Sequence, residues 1–208
     1  MEAMQMCKLA NKELFLVDWS APTGTTSFTD KGGQVILNRS AVQAGIADDP
    51  LLGRCTSSNG YGGWLQSNAQ HPIDMRVNNW TLTIDTIVAQ VGVSQTLMSQ
   101  AIASSGGGGW YIALTPNAGR FDLYWKDAGN VWRVISTSMA IPIGVKLTVK
   151  VVRNGTSLSL YLNGTLAAST SNNVSFNNAA IAIAIGQWSD GLSNTWYGKI
   201  GKIRFANE

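Results

Sequence analysis

Two adjacent segments of the sequence have the period-two pattern of half-buried β-strands, and each ends at an Asn-Gly pair. In residues 145–153, polar side chains alternate with apolar ones at Val145, Leu147, Val149 and Val151. This segment ends at Asn154-Gly155, and the next, residues 157–162, ends at Asn163-Gly164. Asn-Gly is a strong hairpin signal because both residues tolerate positive φ. The two segments therefore predict an antiparallel meander.

Further β-rich runs, separated by Gly, Asn, Asp and Ser clusters, continue this pattern along the chain. They lie at residues 80–88, 110–114, 120–125, 131–136, 181–185 and 199–205. Short strands with turn signals between them are typical of an all-β antiparallel sandwich. With 208 residues, 45% of them hydrophobic, the chain is large enough to bury one core. We predict one sandwich domain over residues 14–208 and an N-terminal arm over residues 1–13.

Charge and hydropathy exclude two classes of partner. The 15 basic and 12 acidic side chains leave a net charge of +3 and form no basic stripe, whereas nucleic-acid binding requires a concentrated basic face. No apolar run approaches the roughly 18–20 residues of a membrane-spanning helix. Residues 1–18 lack the basic and apolar regions of a secretory signal. We therefore expect no nucleic-acid partner, no membrane span and no signal peptide.

Three segments carry a resemblance to a known superfamily. They are KLTVKVVRNGTSLSLYLNGTLAAS at residues 146–169, the elements IAIGQWSD and TWYGKIGKIRF within residues 183–205, and the strand at residues 80–89. Together they resemble the concanavalin A-like lectin/glucanase superfamily in its laminin G-like branch. The resemblance covers roughly residues 14–205 and implies a two-sheet jelly-roll sandwich. It specifies a fold better than a function.

A second resemblance lies near the start of the chain, in FLVDWSAPTGTTSFTDKGGQVI at residues 15–36. This segment is similar to the opening of sandwich domains in structural proteins of tailed bacteriophages, and Gly63-Trp64-Leu65 matches a later strand start of those domains. The resemblance implies a virion component, either a capsid decoration or a tail protein. The expected location is the virion, assembled in the host cytoplasm.

Glycosidase chemistry needs two carboxylates on either side of the scissile bond. Glutamate occurs only at Glu2, Glu13 and Glu208, so the Glu-x-Asp-x-x-Glu motif of the glucanase branch is absent. Asp85 lies on a core strand, where we expect it on the polar side. The single histidine, His71, has no Ser or Cys elbow motif near it. We predict no catalytic residues and a non-enzymatic protein.

Several aromatic residues lie beside predicted turns, where some of them are expected to be exposed and to stack against a sugar. This candidate ligand-binding set is Trp188, Asp190, Trp196, Trp64 and Tyr61, with Trp110 also beside a turn. Tryptophan equally fills the core of packed sheets, and Trp80, Trp125 and Trp132 are expected to be structural because they lie inside strands.

Asp190 is in addition a candidate Ca²⁺ ligand, although a turn aspartate is the simpler interpretation and no second acidic ligand is evident beside it. Apart from this Ca²⁺, no cofactor is expected.

These observations support three hypotheses. The first is a virion structural protein of a tailed phage that attaches to other virion proteins through its Met-rich N-terminal arm and its sheet edges, with binding of bacterial surface glycans as an added role. A homo-oligomer or a lattice-bound copy would fit this hypothesis. The second is a lectin-like adhesin module, and the third is a glycan hydrolase.

Overall fold

The computed structural model describes residues 12–17, 19, 22, 27–29, 35–38, 45–59, 65–67, 73–76, 79–101, 108–116, 119–171, 174–177, 182–188 and 194–207. These residues form sixteen strands and no helix. The strands are β1 (Lys12–Val17), β2 (Ser27–Thr29), β3 (Val35–Asn38), β4 (Gly45–Asp49), β5 (Gly53–Asn59), β6 (Leu65–Ser67), β7 (Asn79–Val88), β8 (Gln95–Ala101), β9 (Gly109–Thr115), β10 (Arg120–Lys126), β11 (Trp132–Ser136), β12 (Lys146–Asn154), β13 (Ser157–Leu162), β14 (Thr165–Thr170), β15 (Ala184–Ile185) and β16 (Tyr197–Asn207).

The strands are arranged in two antiparallel sheets. The back sheet has the order β14-β13-β12-β7-β16-β5-β4, and β1 also pairs with β16. The front sheet has the order β11-β10-β9-β8-β15-β6-β3-β2. The predicted all-β, two-sheet antiparallel sandwich is confirmed.

The predicted meander is present in the back sheet. Strand β12 pairs antiparallel with β13, and β13 pairs antiparallel with β14. Gly155 and Gly164 have φ of 59° and 81° at the two turns, in the left-handed region that favours glycine. The prediction was wrong for Val145, which is 44% exposed. It precedes the strand, since β12 begins at Lys146, opposite Ile87 near the end of β7.

One continuous hydrophobic core lies between the two sheets. The inner face of the back sheet contributes residues such as Leu82 and Val149, and that of the front sheet contributes Ile112 and Leu123. Trp80 and Trp125, predicted to be structural, both pack against Phe176, with ring centroids 5.9 and 5.8 Å apart.

The described part of the N-terminal region pairs with the last strand. Strand β1 begins at Lys12, opposite Asn207 of β16, so its pairing starts two residues before the predicted domain boundary at residue 14. Residues 1–11, which make up most of the predicted arm, lie outside the described residues. Within the part of the chain that the structure describes, no helix is long and apolar enough to span a membrane.

Candidate functional site

The outer face of the front sheet carries aromatic side chains where β9, β10 and β11 lie side by side. Along β9, Trp110 and Ile112 point into the core, so Tyr111 between them points outward. Strand register aligns Tyr111 with Tyr124 of β10, and Trp132 of β11 with Lys126 of β10. Side chains from three strands therefore meet on one outer surface.

Three rings on this surface pack around that of Tyr111. The Tyr124 ring stacks on it with centroids 4.5 Å apart, and the Trp132 ring meets it edge-on at 5.5 Å. From the loop after β15, the Trp188 ring lies 4.3 Å from Tyr111 at a tilt of 43°. We call Tyr111, Tyr124, Trp132 and Trp188 the aromatic platform.

The platform is open to solvent at its edge. Trp132, on the edge strand β11, is 39% exposed, and the other three residues are half-buried. The indole N–H of Trp188 is sealed from solvent and has no hydrogen-bond partner among the described residues, whereas that of Trp110 in the core donates to Gln100 Oε1 at 2.9 Å. The open edge presents apolar ring surface that a ligand can cover.

A carboxylate lies beside the platform on the same outer face. Asp122 is only 1% exposed and accepts hydrogen bonds from Tyr124 Oη and Arg120 Nε, each at 3.1 Å. Burial raises the pKa of Tyr124, and the Asp122 charge and hydrogen bond raise it further. Burial also raises the pKa of Tyr111, with smaller contributions from Tyr124 and Asp122. Both phenols therefore keep their protons at neutral pH.

A lysine lies at the other end of the platform. Lys126 has its Nζ 5.3 Å from the centroid of the Trp132 ring, within the range of a cation–π interaction. Although it is charged, the residue is only 6% exposed.

A separate cleft of about 320 Å³ opens near the edge strand β11. Its lining includes Asp127 and Arg133, which form an ion pair at 2.8 Å. The backbone N–H of Val131 and the Arg133 guanidinium hold the pKa of Asp127 below its usual value. Because the charged groups in this cleft already satisfy each other, the aromatic platform is the stronger candidate site.

Of the five residues predicted to bind a ligand, the structure describes Trp188 and Trp196, and these two lie in different environments. Trp188 is part of the platform. Trp196 is fully buried and stacks near Phe121 at 6.1 Å, so its predicted contact role is corrected, because its ring fills the core. Trp110 is likewise fully buried. Tyr61, Trp64 and Asp190 lie outside the described residues.

Three platform residues were missed by the sequence analysis. Tyr111 and Tyr124 were assigned no role, and Trp132 was predicted to be structural. The signal was present in the alternation of β10, where Phe121, Leu123 and Trp125 share the core face and Tyr124 must point the other way. Trp132 pairs with Lys126 and so belongs to that outer face.

The described residues contain no cluster suited to a metal ion. No group of three or more His, Cys, Asp or Glu side chains that could hold a metal occurs among them. Asp85 lies in the back sheet, where it accepts a hydrogen bond from Thr148 at 2.7 Å and pairs with Lys146 at 3.3 Å. The Ca²⁺ prediction at Asp190 stays a prediction.

Comparison with known proteins identifies the fold. A family model described as the concanavalin A-like lectin/glucanases superfamily matches residues 56–208. No curated protein matches the chain.

Among solved structures, domain 4 of AbnA, a GH43 extracellular arabinanase from Geobacillus stearothermophilus, in complex with arabinotriose, is 17% identical with a TM-score of 0.65, over 95% of this chain and 93% of that one. The binding domain of botulinum neurotoxin serotype D is 12% identical with a TM-score of 0.65, over 94% of this chain and 47% of that one. Trypanosoma rangeli sialidase in complex with the inhibitor DANA is 14% identical with a TM-score of 0.62, over 93% of this chain and 30% of that one. The chain thus spans less than half of the toxin and sialidase structures, and at these identities the likeness concerns the fold alone.

Proposed function

The chain belongs to the concanavalin A-like lectin/glucanase superfamily, and from this membership we propose that it is a non-catalytic module that binds glycans through the aromatic platform. The observation that carries the proposal is the contact of four rings on one outer face, with Trp132 at an open edge. Ligand sites combine apolar and aromatic surface with a few polar groups that fix orientation. Here the rings stack on the C–H face of a sugar, while the tyrosine hydroxyls bond to its hydroxyl groups.

Two features support binding over hydrolysis. Glutamate is absent between Glu13 and Glu208. Among the described residues of β9–β11, Asp122 is the single carboxylate on the outer face, and a pair of carboxylates is the usual requirement for glycosidic cleavage. The solved structure of domain 4 of the Geobacillus arabinanase, which has arabinotriose bound, supports arabino-oligosaccharides as one class of glycan to test.

A role in a phage particle is compatible with glycan binding. The segment at residues 15–36 resembles the opening of sandwich domains of tailed-phage structural proteins. The module would then be attached to other virion proteins through its N-terminal arm and would contact glycans on the host surface. Copurification of the chain with phage particles on a density gradient tests this location.

The glycan proposal is tested by replacing Trp132 with alanine and screening the protein on an array of bacterial polysaccharides and arabino-oligosaccharides. Loss of the exposed ring is expected to weaken binding of the best glycan about tenfold or more, while the melting temperature stays nearly unchanged. The same incubations are expected to release no reducing ends.

Tyr161→Ala is the matched control, because Tyr161 is an aromatic residue in β13 of the back sheet and has Lys150 Nζ 6.0 Å from its ring centroid. This control is expected to bind like the wild type. Equal affinity of Trp132→Ala and the wild type for a bound glycan would place the site elsewhere, and release of reducing ends would overturn the non-catalytic proposal.

A further inference from the structure

The position of Lys126 in the sandwich is unusual for a lysine. It is the last residue of β10, and its register with Trp132 places it on the outer face, where its Nζ lies over the Trp132 ring. The residue is only 6% exposed, whereas lysine is almost never buried without a partner. The ammonium group is therefore held at the platform on a side chain that is mostly buried.

No anionic partner for this ammonium occurs among the described residues. Asp122 is on the same strand and face, but it is four residues away, about 13 Å along an extended strand. It is instead bonded to Arg120 and Tyr124. Asp127 is paired with Arg133 at 2.8 Å, so neither nearby carboxylate neutralises Lys126.

The ring of Trp132 compensates only part of the missing hydration. A buried charge is costly unless it is paired or hydrogen-bonded, and a cation–π contact supplies attraction without neutralising the charge. Among the described residues, the polar atoms that are sealed from solvent and have no hydrogen-bond partner lie elsewhere, for example on Gln187 and Trp188, and Lys126 Nζ is not one of them. The Lys126 Nζ therefore remains within reach of a ligand that covers the platform.

We propose that the platform selects acidic glycans, with the negatively charged group of the sugar pairing with the Lys126 ammonium while the ring stacks at Trp132. This inference rests on the proposed glycan-binding function and names the ligand class of that site. An anionic group placed there gives a charge-assisted contact in a partly desolvated setting, which a neutral sugar cannot supply.

The test compares acidic polysaccharides with neutral forms of the same backbone. Three carboxylated polymers, namely polygalacturonate, alginate and polysialic acid, are each compared with their carboxyl-reduced forms. Dextran sulfate is compared with dextran, which shows whether the site prefers a sulfate or a carboxylate. The full chain is expected to bind at least one acidic form about tenfold more tightly than its neutral form, with a preference that falls as salt is raised.

Lys126→Met removes the charge and retains much of the side-chain length. It is expected to abolish the preference, so that the acidic and neutral forms bind with equal affinity. Lys126→Arg is expected to keep the preference. Lys150→Met, next to Tyr161 on the back sheet, is the matched control, and thermal unfolding checks that every variant is folded.

The outcomes separate the two proposals. Equal binding of acidic and neutral forms, or a preference that survives in Lys126→Met, overturns the acidic-glycan inference while Trp132-dependent binding still supports the platform. A chain that binds none of these polysaccharides and none on the array overturns both.

Discussion

Tyr111 is the residue on which the platform depends, because its ring is in contact with those of Tyr124, Trp132 and Trp188. Its partners come from the adjacent strand β10, from β11 on the far side of β10, and from the loop after β15. Stacked and edge-on ring pairs stabilise each other beyond the area they bury, so the platform is preorganised before a ligand arrives. A preorganised surface loses little conformational entropy on binding.

The effect of Asp122 on the pKa of Tyr124 can be measured by titration. The folded-state pKa of Tyr124 is raised, first by burial and then by Asp122, so folding favours the protonated phenol. This contribution to stability is present below the ordinary tyrosine pKa of about 10 and is lost as the pH rises through the higher folded value. Asp122→Asn is expected to lower the Tyr124 pKa while burial keeps it above 10.

The measurement is tyrosinate absorbance as a function of pH, with Tyr124→Phe to identify the signal. Asp127→Asn is the control, because Asp127 directly follows the end of β10 and pairs with Arg133. A tyrosine titration that is identical in Asp122→Asn and the wild type would show that the carboxylate does not act on Tyr124.

At single positions, the sequence predicted the core better than the surface. Trp80 and Trp125 were correctly placed in the core, because apolar alternation identifies the buried face of a strand. Trp196, which lies beside a turn, was a candidate contact residue but is fully buried. Trp132, which lies inside a strand, was expected to be structural but is 39% exposed. Exposure at Trp132 follows from the edge position of β11, and strand order is not visible in local sequence.

At the scale of strands, β16 is the most constrained element because it pairs with three others, β7, β5 and β1. Gly198 has a φ of 142°, and a Cβ at this position would overlap the backbone carbonyl of Ile87 in β7. The close approach of the two strands therefore requires glycine.

Gly198→Ala is expected to lower the free energy of unfolding by more than about 3 kcal/mol, since rigid backbone has to move. Gly164→Ala, at a turn with a φ of 81° and open space around it, is the comparison and is expected to cost about 1 kcal/mol. Chemical denaturation of both variants checks the difference. A Gly198→Ala protein as stable as Gly164→Ala would contradict the close contact between β16 and β7.

Strand β8 shows why some elements were not predicted. Its sequence QTLMSQA is buried on both faces, so it has no alternation of polar and apolar residues. Two of its polar side chains have specific partners: Gln100 accepts from the Trp110 indole, and Ser99 donates to the Gln187 carbonyl at 3.1 Å. Such partners are distant in sequence, so the strand becomes evident only in the folded chain.

At the scale of the whole molecule, the sequence predicted architecture more fully than function. The sandwich and its superfamily follow from strand alternation, Asn-Gly turns and the motifs of residues 146–169. The site does not follow from them, because three adjacent strands and a loop after β15 have to meet before the platform exists. Fold membership leaves both binding and catalysis open, and the proposal of binding rests on the outer face of β9–β11.

The most direct test is a ¹H–¹⁵N spectrum of the eight tryptophan indole groups, recorded during titration with the oligosaccharide that binds best on the array. Single Trp→Phe variants assign the signals. The account predicts that the indole signals of Trp132 and Trp188 shift in a saturable way, while those of the core residues Trp80, Trp110 and Trp196 stay in place. Saturable binding with the Trp132 and Trp188 signals unmoved would contradict the assignment of the aromatic platform as the glycan-binding site.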